Sequence, residues 1–358
     1  MSLRIIRIAA ALAGCVLLMV GCIRRSELTP DPEPTVTPVR FSGRSLLIQD
    51  DATKGSPLKT GTAFSNTDDP IAVFGWHAEG SGEKWVFDNQ SVTIVGNLVG
   101  EYTPVRVWAW QDTVTDYYDF LATYPYRANL SYTKSVDTAT QTTAVQVDYN
   151  AKEAQYDLMS AGTRRRISAN PADNTADVPL VFSHQLCAIQ VVIHNDSESK
   201  PFTLNYVQFK LLMVSGTLQL QLKDDIFTSN WLSTGRDLEG ALFPVTPATA
   251  IASGGTYDVP ATGQYNLLPP QALNPLGTVP ALELSFTYKD LLDADHTESP
   301  SIPLQTIKDG SDTPITSWEA GHKYVYHIYI RVDGGVRVNV ITTDWDPVDA
   351  RTPGIMIQ

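Results

Sequence analysis

The chain has 358 residues, 39 of them acidic against 26 basic, for a formal net charge of −13 at pH 7. That surplus of carboxylates excludes nucleic acid as a partner class, because phosphate binding needs a basic face. Hydrophobic residues reach 43% and charged ones only 18%, and 23 Gly, 23 Pro and 15 Tyr complete a composition of turn formers and aromatics that suits a β-rich, exported protein of two domains.

The chain opens with Arg4 and Arg7 ahead of an uncharged, mostly apolar run from Ile8 to Gly21, ending at Cys22. A basic start followed by a short apolar core reads as an export signal, too short to span a bilayer as a stable helix. A small residue followed by Cys resembles the bacterial lipobox, in which the Cys thiol is acylated and becomes the mature N-terminus. Two positions qualify. Leu12-Ala13-Gly14-Cys15 has the better lipobox composition but leaves too few apolar residues after Arg7, whereas Met19-Val20-Gly21-Cys22 has the right length. Cys22 is therefore the expected lipid attachment site, with Cys15 as the alternative. Acyl chains hold a protein at a membrane strongly, since each buried methylene contributes about 0.8 kcal/mol. No later apolar stretch approaches the length of a membrane span, so the lipid is the expected anchor.

Residues 1–21 then form the signal, and 22–39 a tether whose prolines at 30, 32, 34 and 38 give it an extended, semi-rigid character. Strand-like runs are Ile71 to Trp76, Lys84 to Phe87, Ser91 to Val95, Val105 to Trp110, Tyr118 to Thr123, Leu180 to His194, Thr203 to Leu211, Gly216 to Leu222, Leu282 to Tyr288, Lys323 to Val332 and Val336 to Thr342. In Leu218-Gln219-Leu220-Gln221-Leu222 strict alternation places three leucines on one face and two glutamines on the other. The last two runs flank Asp333-Gly334-Gly335, a hairpin signature. Helical periodicity is confined to short turns near Ala151 to Met159 and Ser229 to Leu232. The polar segment Thr163 to Asp177, with its Asn-Pro and Asp-Asn turn chemistry, reads as a linker. The expected fold is all-β, as two tandem antiparallel β-sandwiches over 40–170 and 171–358.

Sites of chemistry are weakly represented. The six histidines (77, 184, 194, 296, 322, 327) show no His-Glu-x-x-His and no metal spacing with Cys. No Gly-x-Ser-x-Gly elbow occurs, and Gly55 and Gly61 lack the Lys-Ser/Thr of a phosphate loop. With Cys15 and Cys22 removed or acylated, Cys187 is alone, and in its strand-like setting it reads as a small buried hydrophobe. Alternation turns His184 away from it, and His194 lies about 23 Å along an extended strand. Acidic pairs at Asp50-Asp51, Asp68-Asp69 and Asp224-Asp225, and the set Asp290, Asp293 and Asp295, lack EF-hand spacing and read as solvated loops. Arg164-Arg165-Arg166 reads as solvated linker charge. Neither catalysis, cofactor nor metal is expected. Trp108 and Trp110 share a strand face, with Tyr117, Tyr118, Tyr124 and Tyr126 close behind. These rings fit either a sandwich core or an exposed platform for stacking sugars.

Several segments in order resemble the fimbrillin-like (Mfa-like) lipoproteins of Bacteroidetes, subunits of type V pili. They are the Thr53-Lys54-Gly55 turn, Phe74-Gly75-Trp76, Trp85-Val86-Phe87-Asp88-Asn89-Gln90, Tyr102 to Trp108, and Tyr118 to Pro125. Gln155 to Met159, Val178 to Leu186, Trp318 to Tyr326 and Asp344-Trp345 continue the series. The resemblance implies immunoglobulin- or transthyretin-like sandwiches and fibres built by strand donation at an open sheet edge. It also implies proteolytic removal of the N-terminal strand, here Arg40 to Gln49, at a basic residue, for which Arg44 and Lys54 are the candidates. Phe41, Leu46 and Ile48 would set register in the vacated groove, and Arg351 to Gln358 could serve either as a donor or as an ordinary terminal strand. The expected partners are other fimbrial subunits by strand exchange, the outer membrane through the lipid, and a host or bacterial surface ligand. A surface glycan-binding outer-membrane lipoprotein is the alternative reading.

Overall fold

The computed structural model describes residues 38–45, 69–77, 84–95, 99–105, 117–166, 176–236, 248–261, 264–274, 279–290, 292–310, 312–332 and 335–344. They belong to one compact unit, Pro38–Gln358. Among the described residues there is no α-helix, and one 3-10 turn, Leu304–Thr306, interrupts the strands. The fold is all-β.

The first nine strands are β1 (Phe41–Ser45), β2 (Ile71–His77), β3 (Lys84–Val95), β4 (Val99–Glu101), β5 (Tyr117–Tyr124), β6 (Tyr132–Asp137), β7 (Thr142–Asn150), β8 (Met159–Arg166) and β9 (Val178–His184). Seven of them close a barrel in the order β1-β4-β3-β2-β5-β8-β9. Six of its neighbour pairs are antiparallel and one, β1 with β9, is parallel. This departs from the purely antiparallel expectation for a topological reason. Strands that alternate in direction cannot close a ring of odd number without one parallel contact. Inside sit Phe41, Val73, Phe87, Phe120, Ala122, Leu180 and Phe182.

The barrel wall at β2 and β5 is buried on both sides. Ile71 and Val73 point into the barrel and Ala72 and Phe74 away from it; on the neighbouring strand Phe120 points inward and Leu121 outward. This explains why both strands are continuously apolar rather than alternating. Against the outer side packs a four-stranded sheet in the order β13-β12-β7-β6, with β12 spanning Met213–Lys223 and β13 Ile226–Arg236. Leu218, Leu220 and Leu222 are fully buried there and their glutamines half-buried, as the alternation requires. Strands from both sides of residue 170 thus share sheets: β9 completes the barrel, and β12 pairs with β7 from Ser215–Asn150 to Lys223–Thr142.

The remaining strands are β10 (Cys187–Asn195), β11 (Phe202–Lys210), β14 (Thr249–Ile251), β15 (Thr256–Val259), β16 (Asn266–Leu268), β17 (Gln271–Ala272), β18 (Ala281–Lys289), β19 (Asp295–Glu298), β20 (Ser301–Pro303), β21 (Ser317–Trp318), β22 (His322–Arg331) and β23 (Gly335–Asp344). One sheet runs β15-β10-β22-β23, the other β14-β11-β18-β19. Their inner faces share a core in which Phe209 of β11 meets Tyr326 of β22 edge to face at 5.4 Å. A second parallel pairing, β10 with β22, joins strands far apart in sequence.

Local differences from expectation have local causes. The run Leu180 to His194 is two strands, because the chain turns at Gln185-Leu186 to leave the barrel for the next sheet. Ser229 to Leu232 is not a helical turn but the middle of β13. Lys223 pairs with Ile226 around a two-residue turn in which Asp224 (φ 49°) and Asp225 (φ 67°) both hold left-handed backbone, the geometry that sends a chain straight back as a hairpin. Ala151 to Met159 is turn and irregular chain leading into β8. Thr163 to Arg166, expected in a linker, ends β8 opposite β5.

Candidate functional site

The feature that singles itself out is the barrel's smallest closure. β1 has five Cα partners on β9, from Phe41–Val178 to Ser45–Phe182, but only one on β4, Ser42–Val99. Apolar packing adds to this backbone pairing. Phe41 is fully buried, with its ring 5.3 Å from Phe87, 5.3 Å from Phe120 and 5.8 Å from Tyr102. Val39 is buried ahead of it, and Tyr102 Oη donates to the Val39 carbonyl at 2.7 Å. The Val178 amide donates to the Arg40 carbonyl at 2.7 Å. A Cβ placed on Gly100 of β4 would lie 2.6 Å from Val92 of β3 and 3.2 Å from Phe41 of β1, so a larger residue there would force its neighbours to shift. Removing β1 would uncover the backbone edge of β9 and the side chains of Val178, Leu180 and Phe182, now all fully buried.

Of the sequence-predicted site residues, Arg44 is the fourth residue of β1, its backbone opposite Val181. Lys54, Cys22 and Cys15 lie outside the described residues, as do Leu46, Ile48, Trp108, Trp110 and Arg351 to Gln358. Phe41, expected to set register, lies in the barrel core, and its apolar role was legible. Val39 and Tyr102, which anchor the strand, were not, because nothing local marks a contact across 63 positions.

The charges resolve into structural pairs. Arg164 is no linker charge. Its side chain is 1% exposed and grips the fully buried Asp119 through Nε–Oδ1 at 2.6 Å and Nη2–Oδ2 at 2.8 Å. Thr143 of β7 adds a hydroxyl donor to the same carboxylate at 2.6 Å, which ties the barrel to the neighbouring sheet. His184 Nδ1 and Asp157 Oδ1 are likewise buried, 2.6 Å apart. Cys187 pairs with no histidine; its thiol donates to the Leu268 carbonyl at 3.2 Å, and burial pushes its pKa well up. On the outer side of the β10–β22 pair, His194 Nε2 and His327 Nδ1 are 2.8 Å apart, and burial lowers both from the usual imidazole value. Asp224 and Asp225 serve the β12–β13 turn, and Asp290 accepts the Leu292 and Ala294 amides within the β18–β19 loop. Among the described residues no three His, Cys, Asp or Glu side chains converge as a metal site. Tyr117, Tyr118 and Tyr124 are buried, so these rings build cores rather than a platform; Tyr126 is half-buried.

An all-β body of stacked sheets, closed on one side by a short strand from the beginning of its described chain, defines the class. The model of the fimbrillin-like family matches residues 59–345, and the chain belongs to that family. No curated protein matches it. Solved structures similar to it include a proposed cell adhesion protein from Bacteroides uniformis, with 17% identity, a TM-score of 0.44, and coverage of 86% of this chain and 99% of that one. A fimbrilin from Porphyromonas gingivalis has 10% identity, a TM-score of 0.43, and coverage of 87% and 98%. The tip fimbrial protein Mfa3 of the same organism has 11% identity, a TM-score of 0.33, and coverage of 86% and 99%.

Proposed function

We propose that this fimbrillin-like chain is a structural or adhesive subunit of a cell-surface fimbrium and joins other subunits by β-strand exchange, with β1 as the displaceable strand. The supporting observation is the barrel seam: one strand, held by five backbone partners on one side and one on the other, fills an apolar slot with Phe41. Its departure leaves donors and acceptors on β9 and a core cavity, and a partner's strand with an apolar residue at the Phe41 position restores both. The chain thus acts by edge completion rather than by chemistry at a pocket. Acylation at Cys22, or at Cys15, holds the precursor at the outer membrane, and residues 22–39 lift the body from it.

Cleavage after Arg44 removes four of the five β1 positions, and cleavage after Lys54 removes all of them. The test is to replace both with alanine and follow assembly on non-boiled gels, alongside N-terminal sequencing of the surface form. The double variant is expected to stay monomeric with its N-terminus intact. Unchanged ladders would refute processing at these two residues.

A further inference from the structure

A cleft of about 890 Å³ opens beside the end of β7, away from the barrel seam, and is within the size range of small-ligand sites. Its floor is a cross-strand row, Thr217 of β12 opposite Asp148 of β7, with Ser131 just ahead of β6 on the other side. One wall is the segment from Tyr126 to Leu130 and the other the turn carrying Glu153 and Tyr156.

Asp148 is solvent-exposed yet fixed. Thr217 Oγ1 donates to Oδ1 at 2.8 Å and Ser131 Oγ to Oδ2 at 2.8 Å. Each carboxylate oxygen has a second acceptor direction, so the group keeps capacity for a ligand's hydroxyls while its rotamer is locked. Arg127 is held too, its guanidinium 4.5 Å from the centre of the Tyr156 ring. Asn150 Nδ2 donates to Glu153 Oε1 at 3.0 Å, so these also keep one arrangement. A half-buried aromatic, Tyr126, also lines the cleft, and Gly216 contributes no side chain to it.

Fixed carboxylate, amide and guanidinium groups beside an aromatic ring, in an open cleft, match the alternating hydroxyls and C–H faces of a sugar. β7 is paired on both sides, by β6 and β12, and so has no free edge for an added strand. The charged lining groups are two carboxylates against one guanidinium, and the whole chain is acidic, so a negatively charged sugar is disfavoured. We propose that this cleft binds a neutral or N-acetylated hexose of a surface glycan, with Asp148 accepting from vicinal hydroxyls and Arg127 donating to a ring or carbonyl oxygen. The site is independent of strand exchange at β1.

Saturation-transfer NMR on the full folded chain tests this with methyl β-galactoside, N-acetylglucosamine and N-acetylneuraminic acid as probes. Transfer from at least one of the two neutral sugars is expected, with N-acetylneuraminic acid about tenfold weaker. Asp148→Asn and, separately, Arg127→Ala should each weaken the neutral sugar about tenfold, the loss of one hydrogen bond to a charged group, with the melting temperature little changed. Lys289→Ala, on another sheet, should bind as the parent does. Absence of transfer from both neutral sugars, preference for N-acetylneuraminic acid, or undiminished binding by both cleft variants would overturn the assignment.

Discussion

Arg164→Ala removes the buried ion pair with Asp119. The parent pair has two short, parallel N–H···O contacts, and the same Nη2 donates to the Gln141 carbonyl at 2.9 Å while the guanidinium lies 3.9 Å from the centre of the Tyr117 ring. At an effective dielectric of about 20, charges some 2.7 Å apart attract by roughly 6 kcal/mol, but each ion also loses several kcal/mol of hydration on burial, so the pair as a whole is worth little. Removing one partner is different. The Asp119 carboxyl would be left in a fully buried site without its guanidinium partner, with Thr143 still donating to it, at a cost of about 3–5 kcal/mol. Urea unfolding measures this as a fall in midpoint at constant slope. Arg164→Lys keeps the charge without the paired geometry and should cost about half as much. The apolar double variant Asp119→Leu with Arg164→Met should recover most of the loss. An Arg164→Ala cost below about 1 kcal/mol, or a double variant no more stable than that single one, would refute the account of Asp119 as a buried carboxyl that depends on its partner.

Other perturbations follow from the same packing. Phe41→Ala in the unprocessed chain should cost about 3–5 kcal/mol by denaturant unfolding and should change nothing once residues up to Arg44 have been removed. Gly162→Ala should cost about 1–3 kcal/mol, because the added methyl would overlap the Phe227 ring on β13, and Phe227→Leu in the same chain should restore most of it. Since burial lowers both His194 and His327 below their ordinary 6.5, the unfolded chain binds more protons than the folded one just below that value. Stability should therefore hold above pH 6.5 and fall as the pH drops toward 5, with Asp258 and Asp196 opposing the fall; His194→Gln with His327→Gln should flatten that slope.

Periodicity carried the fold class and the strands with one wet and one dry face, such as Leu218 to Leu222, and the Asp333-Gly334-Gly335 signature flagged the β22–β23 hairpin. The doubly buried β2 and β5 were legible too, as continuous apolar runs; the reading failed where a strand is mostly polar. β6 has the composition of a loop, and β13 is mostly polar; the second is a strand because a two-aspartate turn folds it back on β12. Arg164 was misread because three arginines in a row look solvated, whereas strand alternation sends this one inward to Asp119, 45 positions away. Neither parallel contact was legible, since no local pattern records which distant strand becomes a neighbour. The cleft around Asp148 was equally silent: its groups come from three segments, and each alone is ordinary surface.

The orientation of β1 has a consequence for any polymer this chain forms. It runs antiparallel to β4 and along β9, so a guest strand that reproduces its hydrogen bonds can enter with one polarity only. Under the proposed one-way exchange each junction would join unlike surfaces, and a chain of such heterologous links that does not close into a ring would have two distinguishable ends.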